Sequence, residues 1–254
     1  MKPTPCIQFP YALTATPAGG RISTQHRCTC RTLGPLPLVS AEDARPNLLG
    51  SNGELKPEHA VLDEVAWSGT ESLSFADYAA REAGLISALI EGKGLMTVLE
   101  AQPFPTLEGV TWSAVVDELL EFHGPSRAAA AARWFGSAIG FLVDRREPTA
   151  LDRPWADSFE QAGARVVDPV SPNRVFGDWL ADEVWSMRWS RFGSLARARV
   201  ELATRLAIAR RIAGWLDISS PKQDNISAAE AVMIVDVIGT ADIWEKAQGA
   251  IGEP

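Results

Sequence analysis

The chain has 254 residues, of which 46% are hydrophobic and 22% charged, and its net charge is −8. This length and composition are ordinary for a globular protein with one large domain or two smaller ones. An acidic chain without a Lys/Arg-rich segment is a poor candidate for nonspecific binding to nucleic acid or to an anionic membrane. We therefore expect neither as a partner.

The sequence gives no sign of secretion or of membrane insertion. No charged region followed by an apolar stretch opens the chain. The longest apolar run, residues 128–143, is short for a bilayer and contains Arg133. The three cysteines are an odd number and do not suggest a disulfide framework. We expect a cytoplasmic protein with reduced thiols.

Residues 1–33 are predicted to form a β-hairpin that carries all the cysteines. Two strand-like segments flank the turn sequence Pro-Ala-Gly-Gly at residues 17–20. A turn centred on this sequence pairs Phe9 with Cys28. The same register pairs Ile7 with Cys30, so Cys6 is expected to arrive beside both cysteines of the second strand.

His26, Cys28 and Cys30 alternate along the predicted second strand, which places them on one face. With Cys6 they supply three thiols and one imidazole, which are ligands of zinc and of iron–sulfur centres. The spacing is C-x-C rather than C-x-x-C, and Cys6 reaches that face only if the register slips by one residue. The sequence leaves two hypotheses open: a metal site at these four residues, or reduced thiols at a frayed terminus.

The rest of the chain is predicted to be helical. Residues 34–72 are rich in Gly and Pro without periodicity and are predicted to be an irregular connection. Residues 73–247 are predicted to form a bundle of about six helices. The predicted fold class is therefore mainly α, with an N-terminal β-hairpin.

Capping residues and Pro/Gly signals divide the helical region. Helices are predicted to begin after Ser74, Thr111 and Ser126. Four prolines make 147–172 a second connection. Three more helices are predicted over 173–193, over 194–216, and over 228–246 behind a Ser227–Glu230 capping box.

Aromatic residues and two arginines recur within the helix predicted over 173–193. Four aromatic side chains recur near helical spacing, with Arg188 and Arg191 between them: Trp179, Trp185, Trp189 and Phe192. Such residues anchor protein partners at recognition surfaces, but in a bundle they more often form a core stripe. We favour the core.

Arg188, Arg199 and Arg210 share one helical face at 100° per residue, and Arg191 lies near it. This strip could bind an anionic ligand or an acidic partner. A solvated face that pairs with the acidic surplus is the favoured interpretation. His59 and His123 have no visible nucleophile partner, so no catalytic residue is assigned.

The segment KPTPCIQFPYALTATPAGGRISTQHRCTC, residues 2–30, resembles the YkgJ-type cysteine-cluster family. That family is described as zinc- or iron-chelating and includes flagellin lysine-N-methylase-like proteins. The matching positions are a lead-in, a cysteine–aromatic–proline motif and the cysteine that ends the second strand: Lys2, Pro3, Cys6, Phe9, Pro10 and Cys28. The close match is limited to this segment, and the helical remainder of the chain matches the family only loosely.

The family's main cysteine run lies upstream of the position of Cys6, where this sequence has five residues. We therefore expect the domain to extend upstream of Met1. The resemblance implies a zinc or iron cofactor, including an iron–sulfur cluster, at a partial or lost site, and a relation to protein lysine methylation. The alternative is a non-metal helical module that binds a protein partner through the Trp/Arg face.

Overall fold

The structure is a computed structural model that shows a mainly helical fold with an N-terminal β-hairpin, as predicted. It describes residues 11–27, 29–33, 40–50, 53–148, 151–166, 168–219 and 224–254. Within these ranges, no helix combines the length and the apolar character that a membrane span requires.

Most elements after residue 74 are helices. The strands are β1 (Tyr11–Thr16), β2 (Gly19–Thr24), β3 (His59–Ala60), β4 (Glu64–Ala66) and β5 (Ser72–Ser74). The helices are α1 (Thr29–Thr32), α2 (Ala41–Leu48), α3 (Phe75–Glu91), α4 (Leu95–Leu99), α5 (Trp112–Leu120), α6 (Arg127–Asp144), α7 (Ala156–Gly163), α8 (Pro172–Ser186), α9 (Leu195–Ser219), α10 (Asp224–Ile238) and α11 (Asp242–Gly249). A 3-10 helix, Arg188–Arg191, joins α8 to α9.

The predicted hairpin is present, but its register differs from the predicted one by two residues. Tyr11 pairs with Thr24, and Thr16 with Gly19, so the turn is Pro17 and Ala18 alone. Proline suits the first central position of a turn because its φ is fixed. Gly19 follows with a φ of +117°, which residues with a side chain rarely adopt.

The second strand is shorter than predicted. β2 ends at Thr24, His26 lies in a turn, and Cys30 belongs to α1. The prediction that His26 and Cys30 lie on one strand is therefore wrong, and Cys28 lies outside the described residues. The predicted pairings of residues 7 and 9 lie outside the described residues.

The predicted helix starts are confirmed. The Ser74, Thr111 and Ser126 side chains each accept a hydrogen bond from the backbone N–H three residues later, at the N-termini of α3, α5 and α6. Each bond satisfies a donor that has no acceptor within its own helix. The long helix predicted after residue 193 is also confirmed, as α9.

The predicted single helix over 173–193 is wrong. It ends at Ser186, and Met187 takes a left-handed conformation with φ +52° before the 3-10 helix begins. The Ser186 hydroxyl accepts a hydrogen bond from the Arg188 N–H, and the indole of Trp189 donates one to the Val184 carbonyl. These bonds replace helical ones, so the chain turns and buries Trp189 against the preceding helix.

The last predicted helix is two helices, α10 and α11, and Ser227 and Glu230 lie inside α10 rather than at its start. Glu230 is fully buried, and its carboxylate accepts hydrogen bonds from Arg153 and Trp155. The capping-box interpretation is therefore wrong. The two segments predicted as irregular also contain short elements: α2, β3, β4 and part of β5 in the first, and α7 in the second.

α10 lies at the centre of the molecule, packed against α6, α8 and α9. The hairpin docks onto α8 through polar contacts. The Thr14 hydroxyl donates to the Ser186 carbonyl at 2.7 Å, and the Arg21 guanidinium donates to Glu82 of α3 at 2.8 Å. The residues that follow β2 are thereby held against α8.

Candidate functional site

His26 is anchored by a carboxylate from α8. The turn after β2 buries the residue to 2% exposure, with its Nε2 2.8 Å from Oδ2 of Asp182. Its other ring nitrogen, Nδ1, is buried and has no hydrogen-bond partner in the described part of the chain. Buried polar atoms are nearly always paired, so this nitrogen is open to one further partner, a water or a ligand.

Asp182 binds three side chains of the N-terminal region at once. Besides His26, its Oδ2 accepts hydrogen bonds from the Thr24 hydroxyl at 3.0 Å and from Arg31 at 2.5 Å. Burial by itself would raise the pKa of Asp182, but the hydrogen bond and charge of His26 and the charge of Arg31 outweigh it and lower the pKa. The ionised carboxylate fixes the orientation of the imidazole.

The cysteines predicted as ligands cannot be placed. Cys6 and Cys28 lie outside the described residues, and the side chain of Cys30 does as well. Among the residues that the structure does describe, no group of three or more His, Cys, Asp or Glu side chains is arranged to hold a metal ion. The metal-site hypothesis therefore stays a prediction, with His26 as its described member.

A cavity of about 260 Å³ adjoins this region. Its walls come from the residues after β2, the residue before β3, the end of α8, the 3-10 helix, α9, α11 and the connection between α10 and α11. The lining includes charges of both signs: Arg27, Arg188, Arg191, Arg205, Glu58, Glu183, Glu201 and Glu245. We call it the charged cavity.

A buried network of ion pairs forms one wall of the charged cavity. Arg205 donates to Glu183 at 2.9 Å and to Glu201 at 3.0 Å, and Arg188 donates to Glu183 at 3.1 Å. Burial alone would raise the pKa of Glu183, but the charges of Arg205 and Arg188 lower it to about 2. Such pairs seldom stabilise a fold more than apolar residues of similar volume, and here they place fixed charges on the wall of a cavity, where a ligand can meet them.

The aromatic residues of the 179–192 segment divide into two groups. Trp179 and Trp189 are buried in the core, which confirms the favoured interpretation for them. Trp185 is 37% exposed, its indole donates to the Ile22 carbonyl at 3.0 Å, and Arg21 lies 4.3 Å from its ring centroid. This tryptophan holds the hairpin on α8.

The predicted arginine strip is not continuous. Arg188 lies in the 3-10 helix and binds Glu183, whereas Arg199 lies in α9 and binds Glu100 at 2.6 Å. Arg210 is exposed on α9. The break at residue 187 rotates the first arginine away from the helical face that the sequence assigned to it.

Three charges that line the charged cavity have no ion-pair partner within the described ranges: Arg191, Glu58 and Glu245. They carry both signs, and two aromatic side chains, Trp189 and Phe192, lie among them. The cavity can therefore receive a ligand that has both cationic and anionic groups.

One close pair beside the cavity was not predicted from the sequence. The His59 Nε2 lies 2.8 Å from the Ser190 Oγ, although the two residues are 131 positions apart. Burial, followed by the charge of Arg191, lowers the pKa of His59. No sequence motif connects residues of the 34–72 segment with the 3-10 helix, so only the tertiary structure brings them together.

Comparison of the chain with protein-family models, with curated proteins and with solved structures finds no match. Function is therefore inferred below from the side chains described above.

Proposed function

We propose that this protein binds zinc or iron at its N-terminal end, in the manner that its resemblance to cysteine-cluster proteins implies. The observation that carries the proposal is the buried Nδ1 of His26, which has no partner among the described residues while Nε2 is held by Asp182. Histidines that bind metals usually donate the N–H of the other ring nitrogen to a carboxylate. His26 and Asp182 have this arrangement.

The donor types in the surrounding sequence fit either metal. When Nε2 carries the proton, the lone pair of His26 is on Nδ1. Cys28 and Cys30 follow within four positions, and covalent geometry keeps the Cα of Cys28 within about 7 Å of that of His26. Cys6 is the further thiol. A bound metal would supply either a structural cross-link or, as an iron–sulfur cluster, an electron carrier.

The test is the metal content and zinc affinity of anaerobically purified protein, with cobalt substitution to detect thiolate ligands by absorption. We expect stoichiometric metal, with affinity weakened by His26→Ala and by Cys28→Ser. His123→Ala, at an exposed histidine far along the chain, is the matched control. Equal zinc affinity in His26→Ala and wild type, with both folded, would contradict the assignment of His26.

The charged cavity supports a second candidate function, binding of a protein partner. Arg191, Glu58 and Glu245 offer charges without an ion-pair partner in the described ranges, and the partly exposed Phe192 supplies apolar surface. We propose that the cavity binds a partner segment of mixed charge, with its carboxylate on Arg191 and its cationic side chain on the glutamates. This replaces the linear Trp/Arg helix face with a concave site built partly from the same residues.

A capped peptide of alternating lysine and glutamate, titrated by calorimetry, tests this candidate. We expect saturable binding that weakens with added salt, because exposed charges are screened. Arg191→Gln should weaken it, whereas Arg127→Gln, at an exposed arginine of α6, should not. Equal binding of a capped polyglutamine peptide of the same length would show that the charges do not select the ligand.

A further inference from the structure

His59 and Ser190 form a pair with the geometry of a base and a nucleophile. His59 begins β3, which pairs in parallel with β1 at Thr14, and Ser190 lies in the 3-10 helix. Their side chains meet at 2.8 Å from Nε2 to Oγ. Both residues are partly exposed, so a small molecule can approach the hydroxyl.

We propose that Ser190 is a nucleophile that His59 activates, and that the pair hydrolyses small carboxylic esters. The 2.8 Å separation is within the reach that proton transfer from a hydroxyl to an imidazole requires. His26 lies in the turn after β2 and His59 in β3, so the activity of this pair is independent of metal binding at His26.

The surroundings of His59 favour its neutral form. Its burial and the neighbouring Arg191 guanidinium both disfavour a positive charge on the ring, and the pKa is lowered accordingly. A neutral imidazole can accept the serine proton at neutral pH. No described carboxylate bonds to the other ring nitrogen, so the pair is a dyad rather than a triad.

The residues next to the dyad in sequence line the charged cavity. Glu58 precedes His59, and Trp189 and Arg191 flank Ser190. Arg191 has no ion-pair partner in the described part of the chain, so its guanidinium is available for the oxygen that becomes negative when a carbonyl is attacked. In the proposed reaction, Arg191 is the group that would stabilise this charge.

The reaction balances without any further reactant except water. The Ser190 hydroxyl gives its proton to the His59 Nε2 as Oγ bonds to the ester carbonyl carbon. The C–O bond to the alcohol then breaks, and the proton on Nε2 passes to the departing alkoxide. Water then attacks the carbonyl carbon of the acyl-serine and gives a proton to Nε2. Nε2 passes that proton to Oγ as the bond from Oγ to the acyl carbon breaks, which releases the carboxylic acid.

The test treats the full-length protein with a fluorophosphonate, from which a reactive serine displaces fluoride, and locates the adduct by tandem mass spectrometry. We expect the adduct on Ser190 and a labelling rate that falls at least about 100-fold in His59→Gln. Ser113→Ala removes another partly exposed, side-chain-bonded serine and should leave labelling unchanged. The rate should rise with pH along a titration whose midpoint lies below the ordinary histidine pKa of 6.5.

Turnover is measured separately, as hydrolysis of p-nitrophenyl butyrate that disappears in Ser190→Ala. The adduct is mapped on the wild-type chain, so the result does not depend on whether that variant folds. No adduct, an adduct on another serine, or equal labelling rates in His59→Gln and wild type would each overturn the proposal. A labelled Ser190 without ester turnover would overturn the assignment of the substrate.

Discussion

A single carboxylate, that of Asp182, connects three residues of the N-terminal region to α8. Thr24, His26 and Arg31 all donate hydrogen bonds to it, and all three lie within eight positions of one another along the chain. Because an ionised carboxylate binds these donors more strongly than a neutral amide would, the charge of Asp182 determines how firmly the imidazole is held.

We predict that Asp182→Asn lowers zinc affinity by about 10–100-fold, the usual effect of removing a carboxylate that supports a ligating histidine. The amide keeps the size of the side chain but loses its charge. The comparison is Asp117→Asn, at an exposed carboxylate of α5 that pairs with Arg146. Competition with a chromophoric zinc chelator measures both, and equal affinity of the two variants would argue against the support role.

At the scale of the elements, α3 and α8 approach each other unusually closely at Gly177. A Cβ added there would lie 2.1 Å from the Leu89 carbonyl oxygen, closer than any real contact. Both helices carry residues that hold the hairpin, Glu82 on α3 and Asp182 on α8. Their spacing therefore determines the distance between the two anchor points of the hairpin.

We predict opposite effects for two Gly→Ala substitutions in these helices. Gly177→Ala should lower the free energy of unfolding by about 1–3 kcal/mol or more, because the helices must move apart. Gly84→Ala, in α3 with no atom within 4 Å of the added Cβ, should raise it by roughly 0.5–1 kcal/mol through helix propensity. Denaturant unfolding distinguishes the two, and a loss of stability in both would contradict the contact argument.

At the scale of the whole molecule, ionised groups are buried where α8 and α9 meet. Glu183, Arg205 and Glu201 are all at most 12% exposed in their side chains, and Arg205 is bonded to both glutamates. The carboxyl of Glu183 has an ordinary pKa of 4.5, lowered to about 2 in the fold. The pKa of Asp236 is shifted in the opposite direction, because burial raises it.

We predict that the protein loses stability as the pH falls from 4.5 toward about 2, the unfolded and folded pKa values of Glu183. The unfolded chain takes up a proton on Glu183 first, so the contribution of this residue is complete above pH 4.5 and is lost as the pH falls toward about 2. Its size is on the order of 3 kcal/mol. Denaturant unfolding at several pH values should give a shallower pH dependence for Glu183→Gln than for the wild type; Glu118→Gln, at an exposed side chain, should match the wild type.

Features that depend on neighbouring residues could be predicted from the sequence. The capping serines and threonine, the hairpin and the long helix α9 all depend on contacts within a few positions. The break at Met187 could not, because the bond from Trp189 to Val184 competes with a helix that the local pattern favours equally. The hairpin register depended on whether Pro17 or Ala18 opened the turn, which the composition alone did not decide.

The candidate sites were predicted to different degrees. His26 was selected for its residue type and its place among the cysteines, and the sequence needed no tertiary information for that. Its partner Asp182 lies 156 positions away, and Ser190 lies 131 positions from His59. Neither pair is visible as a local sequence pattern, because both contacts form only when the hairpin and β3 dock against α8 and the 3-10 helix.

The exposed Trp185 has a consequence for anyone who maps a partner surface by mutation. β2 is an edge strand of a three-stranded sheet, and unpaired edges recruit further strands and cause aggregation. The indole of Trp185 occupies the Ile22 carbonyl on that edge, and Arg21 stacks over the ring. Replacing Trp185 would therefore expose that carbonyl to a further strand. Self-association of such a variant has to be measured before any loss of binding is assigned to a recognition contact.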